Sequence, residues 1–126
     1  MEYSLEGQEV SRLCLDYAVV LETVDGTELR LETLFQISSG DAPPFQVDPD
    51  RLVDTGSAAV GLLRQRIAMA LIEKSGVLTL HFTNGQRLQS EPNEQFEAWT
   101  LTTAAGERMV CLPGGGVAHW PGASAP

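Results

Sequence analysis

The residues with the widest chemical reach are few: Cys14, Cys111, His81, His119, Glu97, Trp99 and Trp120. Most of them, with the "PGGG" run at 113–116, fall in the stretch "EQFEAWTLTTAAGERMVCLPGGGVAHW" over 94–120. Cysteine and histidine are soft ligands for zinc. No two of the four stand at a ligand spacing, so no metal site is expected. Cys111 and His119 would form a thiol–imidazole nucleophile pair if their strands were neighbours. Cys111 nevertheless stands among Met109, Val110 and Leu112, a setting that favours a buried, inert thiol. Glu97 shares a strand face with Trp99 and Leu101, and apolar surroundings would raise its pKa toward that of a general acid or base. It has no second acid or nucleophile at a telling spacing. Trp99 and Trp120 would suit ligand stacking. The PGGG amides would suit an anion, but no Lys or Ser follows as in a phosphate loop. The expectation is therefore that these side chains serve packing, with no catalytic set, no metal and no cofactor.

The elements that must hold them follow from composition and periodicity. The chain has 126 residues, 43% apolar and 20% charged, which suits one globular domain, expected over 1–120, with a disordered tail at 121–126. Seventeen acids against 8 bases leave a net charge of −9. That balance opposes nucleic-acid backbones, where Lys and Arg must neutralise phosphate, and anionic membrane surfaces. It favours a basic partner. The opening "MEYSLEGQEV" is acidic and lacks the apolar run of a secretory signal, and no stretch approaches the ~20 apolar residues of a membrane helix. Two cysteines far apart do not make a disulfide scaffold. A cytoplasmic protein is expected.

Hydrophobic alternation with glycine-marked turns predicts hairpins. In "LCLDYAVVLETVDGTELRLETLFQI" (13–37), a three-residue loop with Gly26 as the bulge pairs Leu21 with Leu29 and Val19 with Leu31, then Tyr17 with Thr33 and Leu15 with Phe35. A two-residue turn would slip every side chain to the wrong face. The same device around Gly85 pairs Leu80 with Leu88, around Gly106 Leu101 with Met109, and around Gly76 Ile72 with Leu78. The Gly26 and Gly85 hairpins look alike; too few side chains match to indicate duplication, and reuse of one turn device is the expectation. Asp48-Pro49 marks a helix start, with a helix through about Arg64 interrupted near Gly56-Ser57. Residues 66–73 fit helix and strand spacing alike, and are assigned to a strand because the Gly76 turn follows. The fold expected is mainly β, in the α+β sense. It would be a curled antiparallel sheet or partly open barrel of about seven to nine short strands packed with one helix. An open α+β sheet is the alternative.

The outer face of the first hairpin carries Asp16, Glu22, Glu28 and Glu32, with Arg30 among them. These acids form the expected docking face for a basic protein partner, in a non-enzymatic interaction protein. The alternative is a small-ligand-binding β-barrel, with weak enzymatic activity, whose mouth is lined by Glu97, Trp99 and Trp120. A homodimer through an exposed strand edge is a further option.

Certain motifs carry a family resemblance. Gly76 through Leu88 follows the pattern G-x-L-x-L-x-F-[DN]-G-x-x-L; Pro92 comes next, then Glu97-Ala98-Trp99 as E-[AS]-W. Cys111 through Trp120 resembles C-x-P-G-G-x-x-A-x-W. Over most of 20–120 the chain resembles a family of small, uncharacterised actinobacterial proteins classed as a domain of unknown function. It departs in carrying an extra glycine in "PGGGVAHW" where the pattern has an acid. The resemblance implies a genuine single-domain fold and no known activity. The Glu-Ala-Trp segment is also similar to immunity proteins of polymorphic toxin systems, which makes a toxin-neutralising protein the sharpest form of the docking reading.

Overall fold

In a computed structural model, residues 2–122 are described. Met1 and most of the expected tail, residues 123–126, lie outside the described residues. The strands are β1 (Glu2–Tyr3), β2 (Val10–Leu15), β3 (Val19–Thr23), β4 (Glu28–Leu31), β5 (Phe35–Ser39), β6 (Phe45–Val47), β7 (Ile67–Ile72), β8 (Leu78–Phe82), β9 (Gln86–Ser90), β10 (Trp99–Thr102), β11 (Arg108–Cys111) and β12 (Val117–Trp120). The protein is mainly β, as the periodicity indicates. In place of one curled sheet, the strands form two six-stranded antiparallel sheets, ordered β1-β7-β8-β9-β5-β6 and β12-β11-β10-β4-β3-β2, with no closed barrel. Alternation explains the architecture: β3, β4, β8 and β10 each turn one apolar stripe inward. Val19, Leu21, Leu31 and Leu101 of one sheet and Leu78, Leu80, Leu88 and Phe35 of the other join a single core. A cavity of about 10 Å³ lined by Val10, Leu21, Leu29, Ile67, Leu80 and Leu101 is too small for a ligand.

The expected registers hold at Leu21–Leu29, Val19–Leu31, Leu80–Leu88, Leu101–Met109 and Ile72–Leu78. The first hairpin is shorter than expected. Leu15 pairs with Val19, not Phe35, because the chain reverses at 16–18, where the Asp16 N–H donates to the Ala18 carbonyl. Tyr17 sits in that turn and has no Thr33 opposite. Phe35 crosses to the other sheet, where it pairs with Ser90 and Val47. "DYA" carries neither glycine nor proline, so the turn had no local signature.

Residues 67–72 are a strand. The helical region is a 3₁₀ turn at Pro49–Arg51 followed by α1 (Leu52–Thr55) and α2 (Ser57–Val60), broken at Gly56 as expected. Asp48 caps it: its side chain accepts from the Asp50 N–H at 2.9 Å, while Pro49 occupies the first position, where no N–H is needed.

The likeness of the Gly26 and Gly85 hairpins goes well beyond one turn. Leu21–Leu29 and Val19–Leu31 on β3–β4 become Leu80–Leu88 and Leu78–Ser90 on β8–β9. The β2–β3 ladder has a bulge between Val10 and Arg12; the β7–β8 ladder has one between Ile67 and Met69, against equivalent partners. Phe35 and Val47, paired on β5–β6, correspond to Trp99, which opens β10, and Cys111, which closes β11. The alignment of the halves slips only where turns differ in length, at 16–18 against 73–77 and 32–34 against 91–98. Each half thus builds a three-stranded meander in one sheet and sends its next hairpin to the other. Glu9 and Arg66, which immediately precede the equivalent Val10 and Ile67, bridge each other where the halves meet. The chain is a structural duplication, hidden because core packing requires apolar character and not identity.

Candidate functional site

The motif-rich stretch 94–120 turns out to be a packing junction. Trp99 is fully buried, and its indole Nε1–H donates to the Gly76 carbonyl at 2.8 Å. That bond satisfies the ring's one polar atom inside the core. Gly76 has φ of 105°, and a Cβ there would meet Cys111 Sγ at 2.8 Å and Pro92 at 3.1 Å. The PGGG amides are committed to carbonyls: Gly114 N–H to Asn93, Gly115 N–H to Leu112 and Gly116 N–H to Ser75. No donor of these three remains for an anion. Burial pushes the Cys111 thiol above its ordinary pKa, which suppresses the nucleophilic thiolate.

Cys111 and His119 lie on neighbouring strands, as the nucleophile reading required, but they do not pair. Cys111 is opposite Val117, and His119 Nε2 is held 2.6 Å from Glu107 Oε2. Cys14 is exposed on β2, four strand spacings from Cys111, about 19 Å. His81 pairs across β8–β9 with Arg87. Among the described residues, no three His, Cys, Asp or Glu side chains gather into a metal cage.

The two expected site groups are redistributed. Trp99 is in the core, whereas Trp120 is half exposed at the end of β12, with the Arg108 guanidinium 5.8 Å from its ring centroid. Glu97 is exposed just before β10, outside the apolar setting expected for it. Glu97, Trp99 and Trp120 therefore do not line a common mouth. Glu22 and Glu28 are directly opposite, as the register predicted, but their face is mixed in charge. Arg12 stands opposite Glu22, Arg30 shares the same shallow depression, and the Arg30 guanidinium lies 3.4 Å from Glu32. Asp16 is exposed at the β2–β3 turn.

The arrangement instead forms an acidic cleft at the end of the sandwich where the chain crosses between sheets. Tyr17, Glu32, Asp50, Gln95, Phe96, Glu97 and Pro113 line about 500 Å³. Three carboxylates line it and no base does, with Arg30 reaching only Glu32 from the neighbouring face. Tyr17 is 87% exposed and Phe96 62% exposed, so two aromatic rings stand in solvent beside them. The loops are shaped locally: Asn93 Oδ1 accepts from the N–H groups of Gln95 and Phe96 at 2.8 and 3.0 Å, curling 93–96 so that Phe96 stands out. Carboxylates with exposed rings can receive a cation through both charge and the ring quadrupole. Sequence reasoning had Glu32 and Glu97 in separate groups and missed Asp50, Tyr17 and Phe96, which come from loops that only the sheet crossovers bring together.

Fold and cleft define a small two-sheet β-sandwich with a duplicated strand plan and an acidic surface site. The chain belongs to the family of unknown function DUF6188, whose description it matches over residues 1–121. No curated protein and no solved structure matches it.

Proposed function

We propose that the protein is a non-enzymatic cytoplasmic docking module that engages a basic protein segment at the crossover-end cleft. The observation that carries this reading is the convergence of Glu32, Asp50 and Glu97 beside exposed Tyr17 and Phe96, with no basic residue in the lining. A lysine or arginine entering the cleft gains charge pairing at its head and aromatic contact along its stem. The chain's net charge of −9 steers such a partner toward it. Burial of Trp99 and Cys111, and commitment of the glycine amides, argue for a structural use of the reactive residue types. Neutralisation of a basic toxin surface is one form of this activity. No helix among the described residues is long and apolar enough to cross a membrane.

Calorimetric titration with a short oligo-arginine peptide tests the reading. The Glu32→Lys/Glu97→Lys variant is expected to weaken binding roughly tenfold, and Glu22→Lys/Glu28→Lys to change it less than about twofold. Equal effects from both pairs, or no binding at low salt, would overturn the proposal.

A further inference from the structure

We propose that two copies of the chain pair through the outer edge of β2, antiparallel and centred on Cys14. This pairing does not depend on the docking reading. β2 ends its sheet and, at six residues, is the longest of the four edge strands; β1, β6 and β12 have two, three and four. A long edge with free backbone groups is a template for another strand. The duplication shows what such an edge takes. The equivalent strand, β7, is covered by β1, with Ala70 opposite Tyr3 and Leu71 opposite Glu2. With Val10 aligned to Ile67, the counterparts of Ala70 and Leu71 are Leu13 and Cys14, and no strand lies beside them. The cause is local: after pairing at 64–66 the second half runs back into helix, where the first half has β1.

The hydrogen-bond phase narrows the register. The Asp16 N–H donates to Ala18 O, so Leu15–Val19 and Leu13–Leu21 are the non-hydrogen-bonded pairs of the β2–β3 ladder. Leu13 and Leu15 therefore direct their N–H and C=O groups away from β3. A two-fold axis at Cys14 sets each Leu13 against Leu15 of the second copy, satisfying these groups reciprocally and covering Leu15, which is 39% exposed. Arg12 then falls opposite Asp16 of the second copy. The two exposed Cys14 residues become a non-hydrogen-bonded pair with Cα atoms about 4.5 Å apart, within reach of a disulfide. An axis at Arg12 opposes like charges, and one between Leu13 and Cys14 sets an inward residue against an outward one. One at Leu13 or Leu15 satisfies the phase but loses the Arg12–Asp16 pairing.

Light scattering of the full chain is expected to rise from 13.6 kDa toward twice that mass as concentration increases from about 10 to about 500 µM. Mild thiol oxidation should trap a covalent dimer that Cys14→Ser abolishes. Asp16→Arg, at an exposed turn, should weaken association at least fivefold with an unchanged circular dichroism spectrum and melting point, while Asp16→Glu retains it. A chain that stays at one-copy mass throughout would overturn the proposal. So would a dimer that Asp16→Arg leaves intact and oxidation does not link through Cys14.

Discussion

Gly7 and Arg64 hold equivalent places in the two halves, with φ of 84° and 74°, and Arg64 is the one non-glycine residue of positive φ among the described residues. The Gly7 N–H donates to the Ile67 carbonyl and the Arg64 N–H to the Val10 carbonyl, both at 2.7 Å. Val10 and Ile67 are themselves equivalent. The same left-handed step is thus taken once with the residue suited to it and once with an exposed arginine.

Arg64→Gly is therefore expected to stabilise the fold. The left-handed conformation costs a non-glycine residue about 1–2 kcal/mol, of which the added freedom of glycine in the unfolded chain returns part. Chemical denaturation should show a gain of up to about 1 kcal/mol. A loss would mean that the Arg64 side chain has an unrecognised role.

The turns at Asp25 and Asn84 make a second equivalent pair. Asp25 Oδ1 accepts from the Thr27 N–H and Asn84 Oδ1 from the Gln86 N–H, each at 3.0 Å. The Thr23 hydroxyl also donates to Asp25, and this bond is the main cause holding its carboxyl below the ordinary value; desolvation opposes it and the Thr27 N–H assists. A depressed carboxyl stabilises the fold above its unfolded pKa, near 3.9, and loses that contribution as pH falls through the lower folded value. Asp25→Ala should cost about 1 kcal/mol at pH 7 and less near pH 2. Asp25→Asn, copying Asn84, should cost less at pH 7 and show a flatter profile below pH 4 in urea titrations.

Much of the first-order structure was legible because alternation and glycine turns act locally. Leu21–Leu29 and Leu80–Leu88 could be aligned from the stripe alone. The division into two sheets was not, since it depends on the crossovers at 32–34 and 91–98, where the chain passes between sheets from Leu31 to Phe35 and from Ser90 to Trp99. Those segments carry no mark that separates a crossover from a hairpin turn. The cleft was hidden for the same reason: Tyr17, Asp50 and Phe96 are remote in sequence and meet only where the sheets exchange strands.

Gly76 and Gly85 separate strain from crowding. Both have positive φ, but a Cβ at Gly85 meets nothing within 4 Å, whereas one at Gly76 meets Cys111 Sγ at 2.8 Å. Gly85→Ala should cost about 1 kcal/mol and Gly76→Ala at least about 2. Adding Cys111→Ala to Gly76→Ala should recover part of the difference in a double-mutant cycle. Additivity of the two changes would show that the contact is not the cause.

Ser90 is fully buried with its hydroxyl unpartnered, at the place where the other half has Leu31. An unsatisfied buried hydroxyl costs about 1–3 kcal/mol, so Ser90→Ala should be neutral or stabilising by up to about 1 kcal/mol in thermal unfolding. Clear destabilisation would point to a hydrogen-bond partner for Ser90.

The docking account is tested most directly by amide NMR of the labelled protein titrated with an oligo-arginine peptide. It predicts that shifts concentrate at 16–18, 32–34, 50 and 94–97, and fade in about 0.5 M salt as exposed charges are screened. Shifts centred on Glu22 and Glu28, or none in the cleft at low salt, would contradict it.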